Sequence, residues 1–433
     1  MNEFESRRIS FFEQMSDNSL AIFSSSDEKV RNNDSEYRFR QSSDFLYLSG
    51  LNEPDACIVL VKTEDAQKSI LFNRAKDKLE EIWHGYRLGQ KAAVSDLYFD
   101  QAYQIDELLE KLPLLLNGID TIYFPIFQDE KLEIVLKEVM TEMRGDKRKG
   151  VIAPHQFIDS LPILHEMRLI KSEAEIALLS EAAEISAAGH IRAMQACRPG
   201  MWEYQLQSEV EYEFAQQGTR DIAYNSIVAG GENACILHYT NNNRQLRDGQ
   251  LVLIDAGAEY QGYAGDITRT FPVNGHFSEH QAMLYQLVLD IQVRAISQVR
   301  PGATLFDINQ NVIKQMVDGL IEFGIMEGDP DELIAQEAYK DFYIHGIGHY
   351  LGLDVHDVGE YGTKDNPRLL EPGMVVTIEP GLYISHDADV DDVWKKIGIR
   401  IEDDVLVTES GGDVLTADVP KSINEIEALM ADA

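Results

Sequence analysis

The chain has 433 residues, 44% hydrophobic and 26% charged, which suits a folded protein of two domains and excludes disordered or collagen-like classes. Acidic residues outnumber basic ones by 74 to 38, and the formal charge of −36 speaks against phosphate backbones and anionic membrane surfaces as partners. Cys57, Cys197 and Cys235 are odd in number and form no CxxC spacing, so neither a disulfide framework nor a thiolate zinc site is expected, and the three should be reduced and buried.

The opening segment, MNEFESRRISFFEQM, carries charges throughout and lacks the apolar stretch of a signal peptide, and no run near 18 apolar residues occurs; a cytoplasmic protein is expected. Residues 1–165 alternate short apolar runs (CIVLV at 57–61, SILF at 69–72, TIYF at 121–124) with helical patterns such as YQIDELLEKLPLLL at 103–116, the signature of an α/β domain. The boundary falls in DSLPILHEMRLIKSEAEI. There Pro162 interrupts the pattern, and Ser172 with Glu175 forms a capping box that opens a helix through Ile176, Leu179, Ala183 and Ser186. A second domain is expected over 166–433.

This second domain carries a degenerate internal repeat. One helical pattern ends at Arg198-Pro199-Gly200; another, opened by Ser278 and Gln281, ends at Arg300-Pro301-Gly302, 102 residues further on. After each tripeptide comes a helical pattern closing at a glycine, Gly218 or Gly324, and later a strand-like run, RDGQLVLIDAG at 247–257 or EPGMVVTIEPG at 371–381. Aligning Gly249 with Gly373 sets Asp255 opposite Glu379. Each is followed by one more acid, Asp266 or Glu402, so four carboxylates are expected to converge on a pseudo-twofold axis.

Four converging carboxylates repel one another by several kcal/mol unless cations neutralise them. A site rich in carboxylates with one imidazole suits hard divalent cations, manganese first, with zinc, cobalt or iron as alternatives. Two such ions ~3.5–4 Å apart would share a water, lower its pKa and polarise a scissile carbonyl. Taken singly, each acid has a plainer reading. Asp255 before Ala256-Gly257 and Glu379 before Pro380-Gly381 could be turn acids, and Asp266 and Glu402 could pair with Arg269 or Arg400. His345 and His349 have the spacing of helical zinc proteases, but Gly346 stands where the glutamate is required and Gly348 opposes a helix. In HGIGHYLGLDVHD, His345, His349 and His356 are better placed around a cleft. HDADVDD at 386–392 mimics a calcium loop but has Asp392 at the glycine position and Gly398 at the final glutamate position, so it reads as a solvated acidic loop.

The segments IDAGAEYQGYAGDITRTFP, HGIGHYLGLDVHD, EPGMVVTIEPGLY and GIRIEDD resemble the signature segments of the Xaa-Pro aminopeptidase (aminopeptidase P) family of pita-bread metallopeptidases. NNDSEYRFRQSSDFLYLSGLNEP and LFNRAKDKLEEIWHGYRLGQ resemble the creatinase-like N-terminal domain of the bacterial type, so the likeness spans the chain. The resemblance implies release of the residue before a penultimate proline by a hydroxide bridging two metals. Asp255 would bind one metal, Asp266 and Glu402 bridge both, and His349 with Glu379 complete the other, Glu379 also acting as general base. His238 and His356 match histidines that bind substrate and stabilise the tetrahedral intermediate. His345 and Arg400 match proline-pocket positions, and Tyr224 a residue near the metals. Trp83 and Asp34 match first-domain positions bordering the active site, in a family of dimers or tetramers. The chain departs from the usual pattern at Gly348, where serine is common, and at Tyr350, where tryptophan is frequent; this touches fine specificity rather than metal binding. The rival within the fold is Xaa-Pro dipeptidase, which cuts only dipeptides. A catalytically silent peptide-binding module is the rival outside enzymes, and the five intact ligands oppose it.

Overall fold

The computed structural model describes residues 2–431 and divides into two compact units, the first ending at Met167 and the second beginning at Arg168. The first unit is built on a six-stranded mixed sheet. Its strands run in the order Gln101–Gln104, Gln67–Asn73, Cys57–Lys62, Ser19–Ser24, Thr121–Phe124 and Gln156–Asp159. Alternate strand residues Leu20, Ile22, Val59, Ile70, Phe72, Ile122 and Phe124 face one side of the sheet. They meet Leu132, Leu136, Val139, Met140 and Met143 of helix Glu130–Gly145, so a period of two packs against a period of 3.6.

Two local expectations shift here. The helical pattern at 103–116 begins as strand, because Tyr103 and Gln104 pair with Phe72 and Asn73; the α-helix proper is Leu108–Leu116. Pro162 does not interrupt a helix but lies in the first turn of one, Leu161–Leu169, where its missing N–H has no intrahelical acceptor to lose.

In the second unit both capping boxes form. Ser172 with Glu175 opens helix Glu173–Ala196, and Ser278 with Gln281 opens helix Glu279–Ile296. Helices Glu203–Gln216 and Leu305–Glu322 pack on these two in turn. The repeat is legible in hydrogen bonds. Gly200 N–H donates to Leu246 O at 2.8 Å, and Gly302 N–H to Leu370 O at 2.9 Å; Leu246 N–H returns to Met201 O and Leu370 N–H to Ala303 O, both at 2.8 Å. Each half then presents an antiparallel three-stranded sheet. One has Leu251–Asp255 between Ile227–Gly230 and Thr268–Pro272; the other has Asp403–Thr408 between Val375–Ile378 and Gly411–Val414.

The register refines the repeat. Asp255 stands opposite Thr268, whereas Ile378 stands opposite Asp403, so one step further sets Glu379 opposite Glu402. Asp266 and Glu402 are therefore not equivalent positions: Thr268 and Glu402 are, and they touch, the Thr268 hydroxyl donating to Glu402 Oε2 at 2.6 Å. His349 also finds its counterpart. Its carbonyl accepts from Thr377 N–H, while Ala229 pairs with Leu253 at the matching place in the first half, so the repeat position of the histidine is an alanine.

Candidate metal centre and active site

Rigid backbone carries every acid of the cluster. Asp255 ends a central strand, Asp266 precedes strand Thr268–Pro272, Glu379 follows strand Val375–Ile378, and Glu402 links Ile397–Arg400 to Asp403–Thr408. His349 lies on an extended segment paired to the Val375–Ile378 strand through Glu379 N–H to Ile347 O and Leu351 N–H to Val375 O. Two glycines permit these approaches. A side chain at Gly257 would meet the Gly265 carbonyl oxygen at 1.7 Å, and one at Gly348 the Thr377 oxygen at 1.9 Å. The glycine at 348 is thus dictated by this chain's own strand contact. Tyr350 is buried and stacks on Tyr361 with ring centroids 4.4 Å apart.

These side chains line one cavity of about 530 Å³, which also takes in Tyr224, His238, His345, His356 and Arg400. Asp266, His349 and Glu402 offer ligand atoms that all lie within 4.8 Å of one another. Tyr224 ties Asp255 to Asp266, its hydroxyl lying 2.5 Å from Oδ1 of each, and Glu379 Oε1 lies 3.6 Å from His349 Nε2. His349 Nδ1 donates to Tyr350 O at 3.0 Å, which turns Nε2 toward the carboxylates, the arrangement of a metal-ligating imidazole.

The cluster is short of positive charge. Among the described residues, Asp255, Asp266, Glu379 and Glu402 face a single guanidinium, Arg400, whose Nη2 lies 2.5 Å from Asp255 Oδ2. Burial first, and Asp266 next, hold Glu402 well above the ordinary carboxylate range; burial also raises Asp255. Glu379 is pushed up to about 7 by burial, against the opposing pull of His349 and Arg400. Burial disfavours charge on His349, yet Asp266 and Glu379 outweigh it and raise the imidazole to about 9. Proteins that lack cations at such a cluster store protons there instead. Four carboxylates against one arginine leave three negative charges, which two divalent ions would offset, so the donor set fits two hard cations.

Arg400 is engaged beyond Asp255: Nη1 donates to the Tyr383 hydroxyl at 3.0 Å and Nε to Thr268 Oγ1 at 3.1 Å. The plainer alternative, pairing of Asp266 and Glu402 with Arg269 or Arg400, does not form among the described residues; Arg269 pairs with Asp403 and Arg400 with Asp255. Burial, with Arg400 adding to it, lowers His345 to about 4, so the ring is neutral at pH 7. Its Nδ1 donates to Gly346 O and its Nε2 accepts from the Tyr383 hydroxyl, both at 2.8 Å. His238 and His356 are exposed on the cavity wall, the His356 ring 4.2 Å from that of His349. Behind His356, the buried Asp357 is held by Arg168 at 2.6 Å and Lys171 at 2.9 Å. Trp83 and Asp34 belong to the first unit, where Trp83 is exposed on helix Lys78–His84 and Asp34 is exposed at a turn.

Three groups escaped sequence reasoning. Tyr383 joins Arg400 to His345. Asp403 anchors the segment behind Glu402, and Asp404 Oδ2 accepts the Asp266 N–H at 3.0 Å. All three lie inside the segments EPGMVVTIEPGLY and GIRIEDD; the signal was an acid triplet whose members face different ways. Elsewhere HDADVDD is a loop with its aspartates exposed, and Cys235 is only half-buried, beside the buried Cys57 and Cys197.

Buried acids and an imidazole gathered on two related sheets form the donor set of a metallohydrolase. Residues 177–409 match the model of metallopeptidase family M24, and residues 4–123 that of the aminopeptidase P N-terminal domain. The chain is 50% identical over 432 residues to the Xaa-Pro aminopeptidase of Escherichia coli, covering 100% of this chain and 98% of the relative. The zinc-substituted aminopeptidase P of E. coli in complex with product superposes with a TM-score of 0.98 at 50% identity, covering 99% of this chain and 98% of that one. Proline aminopeptidase P II from Yersinia pestis gives the same TM-score at 51% identity, with 100% of both chains covered. The chain belongs to metallopeptidase family M24, among its Xaa-Pro aminopeptidases.

Proposed function

We propose that this enzyme releases the N-terminal residue from peptides with proline in second position, and that Asp255, Asp266, His349, Glu379 and Glu402 hold the two divalent ions it requires. The convergence of these five side chains in one cavity carries the reading. The ions would supply an activated water and polarise the scissile carbonyl. Asp255, Asp266 and Glu402 would hold one ion, and His349 and Glu379, with Asp266 and Glu402, the other. Manganese is the first choice because the donor set is mostly carboxylate, with zinc and cobalt as alternatives.

Glu379 acts as the general base. Its carboxyl, already near neutrality at about 7, falls further once cations neighbour it and is then ionised at pH 7. His238 and His356 stand on the exposed wall where a carbonyl oxygen gathers charge, and their N–H groups donate to it. His345, held neutral and oriented by Tyr383, shapes the proline side, and Arg400 fixes Asp255 and Tyr383. Tyr224 aligns the two aspartates. For Trp83 and Asp34 the support is their match to the family pattern and their exposure. The apolar side chains Leu79, Ile82, Trp83 and Tyr86, all exposed, favour a homo-oligomer, a dimer or tetramer. Three unpaired cysteines favour the cytoplasm. No helix among the described residues is long and apolar enough to cross a membrane.

The test is turnover of an Arg-Pro-Pro tripeptide and of an Xaa-Pro dipeptide by metal-stripped protein resupplied with Mn2+, Zn2+ or Co2+. Arginine release from the tripeptide only after metal is added is the expected result. Cleavage confined to dipeptides would make the enzyme a dipeptidase instead.

A further inference from the structure

Glu203, the first residue of helix Glu203–Gln216, is fully buried, and no lysine, arginine or histidine forms an ion pair with it among the described residues. Four donors satisfy its carboxylate instead. Oε1 accepts from Gly230 N–H and Asn233 Nδ2, and Oε2 from the Tyr239 hydroxyl and Arg244 N–H, each at 2.8 Å. Its own N–H donates to Arg244 O at 2.9 Å, closing the ring of contacts. Every partner lies in the single segment 230–244, and that segment places Leu237, His238 and Thr240 on the cavity wall.

A buried carboxylate without a cation is tolerated only when charge-assisted hydrogen bonds replace its hydration. Here they bind one loop at both ends and in the middle. The imidazole of His238 makes no hydrogen bond to the protein among the described residues and is exposed, so its place depends on its neighbours. The nearest of these is Tyr239, whose hydroxyl is anchored on Glu203 and whose ring packs with Ile227, Ala229, Leu253 and Tyr383. Burial and Glu203 raise the Tyr239 phenol to about 12, so it remains a donor across the working range of pH.

We propose that Glu203 is the positioning residue for His238, holding the 230–244 loop so that the imidazole meets the substrate carbonyl. The inference rests on the role of His238 given above. Glu203→Gln keeps the shape but sets an amide against Arg244 N–H or Gly230 N–H, donor against donor, so one bond is lost and the loop shifts.

The experiment is a double-mutant cycle on tripeptide turnover by the manganese-loaded enzyme, with Glu203→Gln, His238→Ala and their combination, and Tyr239→Phe as a milder probe. Glu203→Gln is expected to lower kcat about 10–100-fold with KM and bound metal little changed. Tyr239→Phe should act in the same direction by about 2–5-fold, since one bond of four is lost. In the His238→Ala background, Glu203→Gln should change kcat by less than about twofold, because the group it positions is gone. An equal loss of kcat in both backgrounds, or no loss in the parent enzyme, overturns the proposal. If Glu203→Gln does not fold, Tyr239→Phe in both backgrounds decides by the same criterion. Unchanged turnover in His238→Ala alone overturns the role of His238 itself and is read from that single variant.

Discussion

Glu402 and Asp403 are consecutive, both buried, and driven in opposite directions. Asp403 accepts from Arg269, Thr416, Gln292 and Lys421, and although burial opposes it, Arg269 and Lys421 hold its carboxyl below the ordinary range. Among the described residues the Glu402 side chain has only the Thr268 hydroxyl as donor, and burial, reinforced by Asp266, Glu379 and Asp255, holds its carboxyl well above that range. One acid has its cations built into the chain; the other lacks them. On the proposed function, the contrast separates an acid that stabilises the fold from one reserved for a metal ion.

The comparison can be broken at three residues. Glu402→Gln and Asp266→Asn should each lower tripeptide turnover by at least ~10³-fold after metal reconstitution, because each removes a carboxylate proposed to hold the metal ions. Asp403→Asn should instead act on the fold. It leaves the buried Arg269 and the half-buried Lys421 without their anion and should cost about 3–5 kcal/mol in denaturant unfolding of the metal-free protein. Glu402→Gln should change that same quantity by less than about 1 kcal/mol, since the amide resembles the protonated acid.

A pH series sharpens the contrast. Glu379 has its folded-state pKa raised from 4.5 to about 7, so between those values the folded chain binds more protons than the unfolded one. Metal-free stability from this group is therefore present below about pH 4.5 and declines as pH rises to about 7, by up to about 3 kcal/mol. Divalent ions need the ionised acids and reverse the trend. The gain in Tm on adding Mn2+ should thus grow from pH 5 to pH 8; a gain that shrinks over that range contradicts the assignment. Asp403 has the opposite sign: its folded pKa is depressed, so its contribution is present above about 4 and is lost as pH falls further. A smaller loss at the site than for the acids is expected for Tyr224→Phe, which removes the hydroxyl between Asp255 and Asp266 and should weaken metal binding about 10–100-fold in a competition titration.

Much of the scaffold is written locally. The Ser172–Glu175 and Ser278–Gln281 boxes span three residues, and runs such as TIYF announce their strands through composition, so both are legible without the fold. The five residues proposed to hold metal are legible as well, because their segments are distinctive and the repeat supplies a reason for acids at paired strand ends. What is not legible is which acid faces which partner. Arg400 reaches Asp255 across 145 positions, Arg269 reaches Asp403 across 134, and Glu203 collects donors 27 to 41 residues away. The triplet Glu402-Asp403-Asp404 reads as three equivalent acids until the turn between two strands sends one to the cavity, one to a cage of cations and one to the Asp266 N–H. Pro162 is ambiguous in sequence for a related reason: a proline marks a helix start as readily as a stop, and only the paired backbone distinguishes them.

The central claim is that the five side chains hold two divalent ions. Elemental analysis of the purified protein after Mn2+ loading and desalting tests it most directly, with Glu402→Gln and Asp403→Asn measured alongside. The account predicts close to two ions per chain in the parent protein, loss of bound metal in Glu402→Gln, and retention in any Asp403→Asn that folds. No bound metal in the parent protein, or two ions retained in Glu402→Gln, would contradict it.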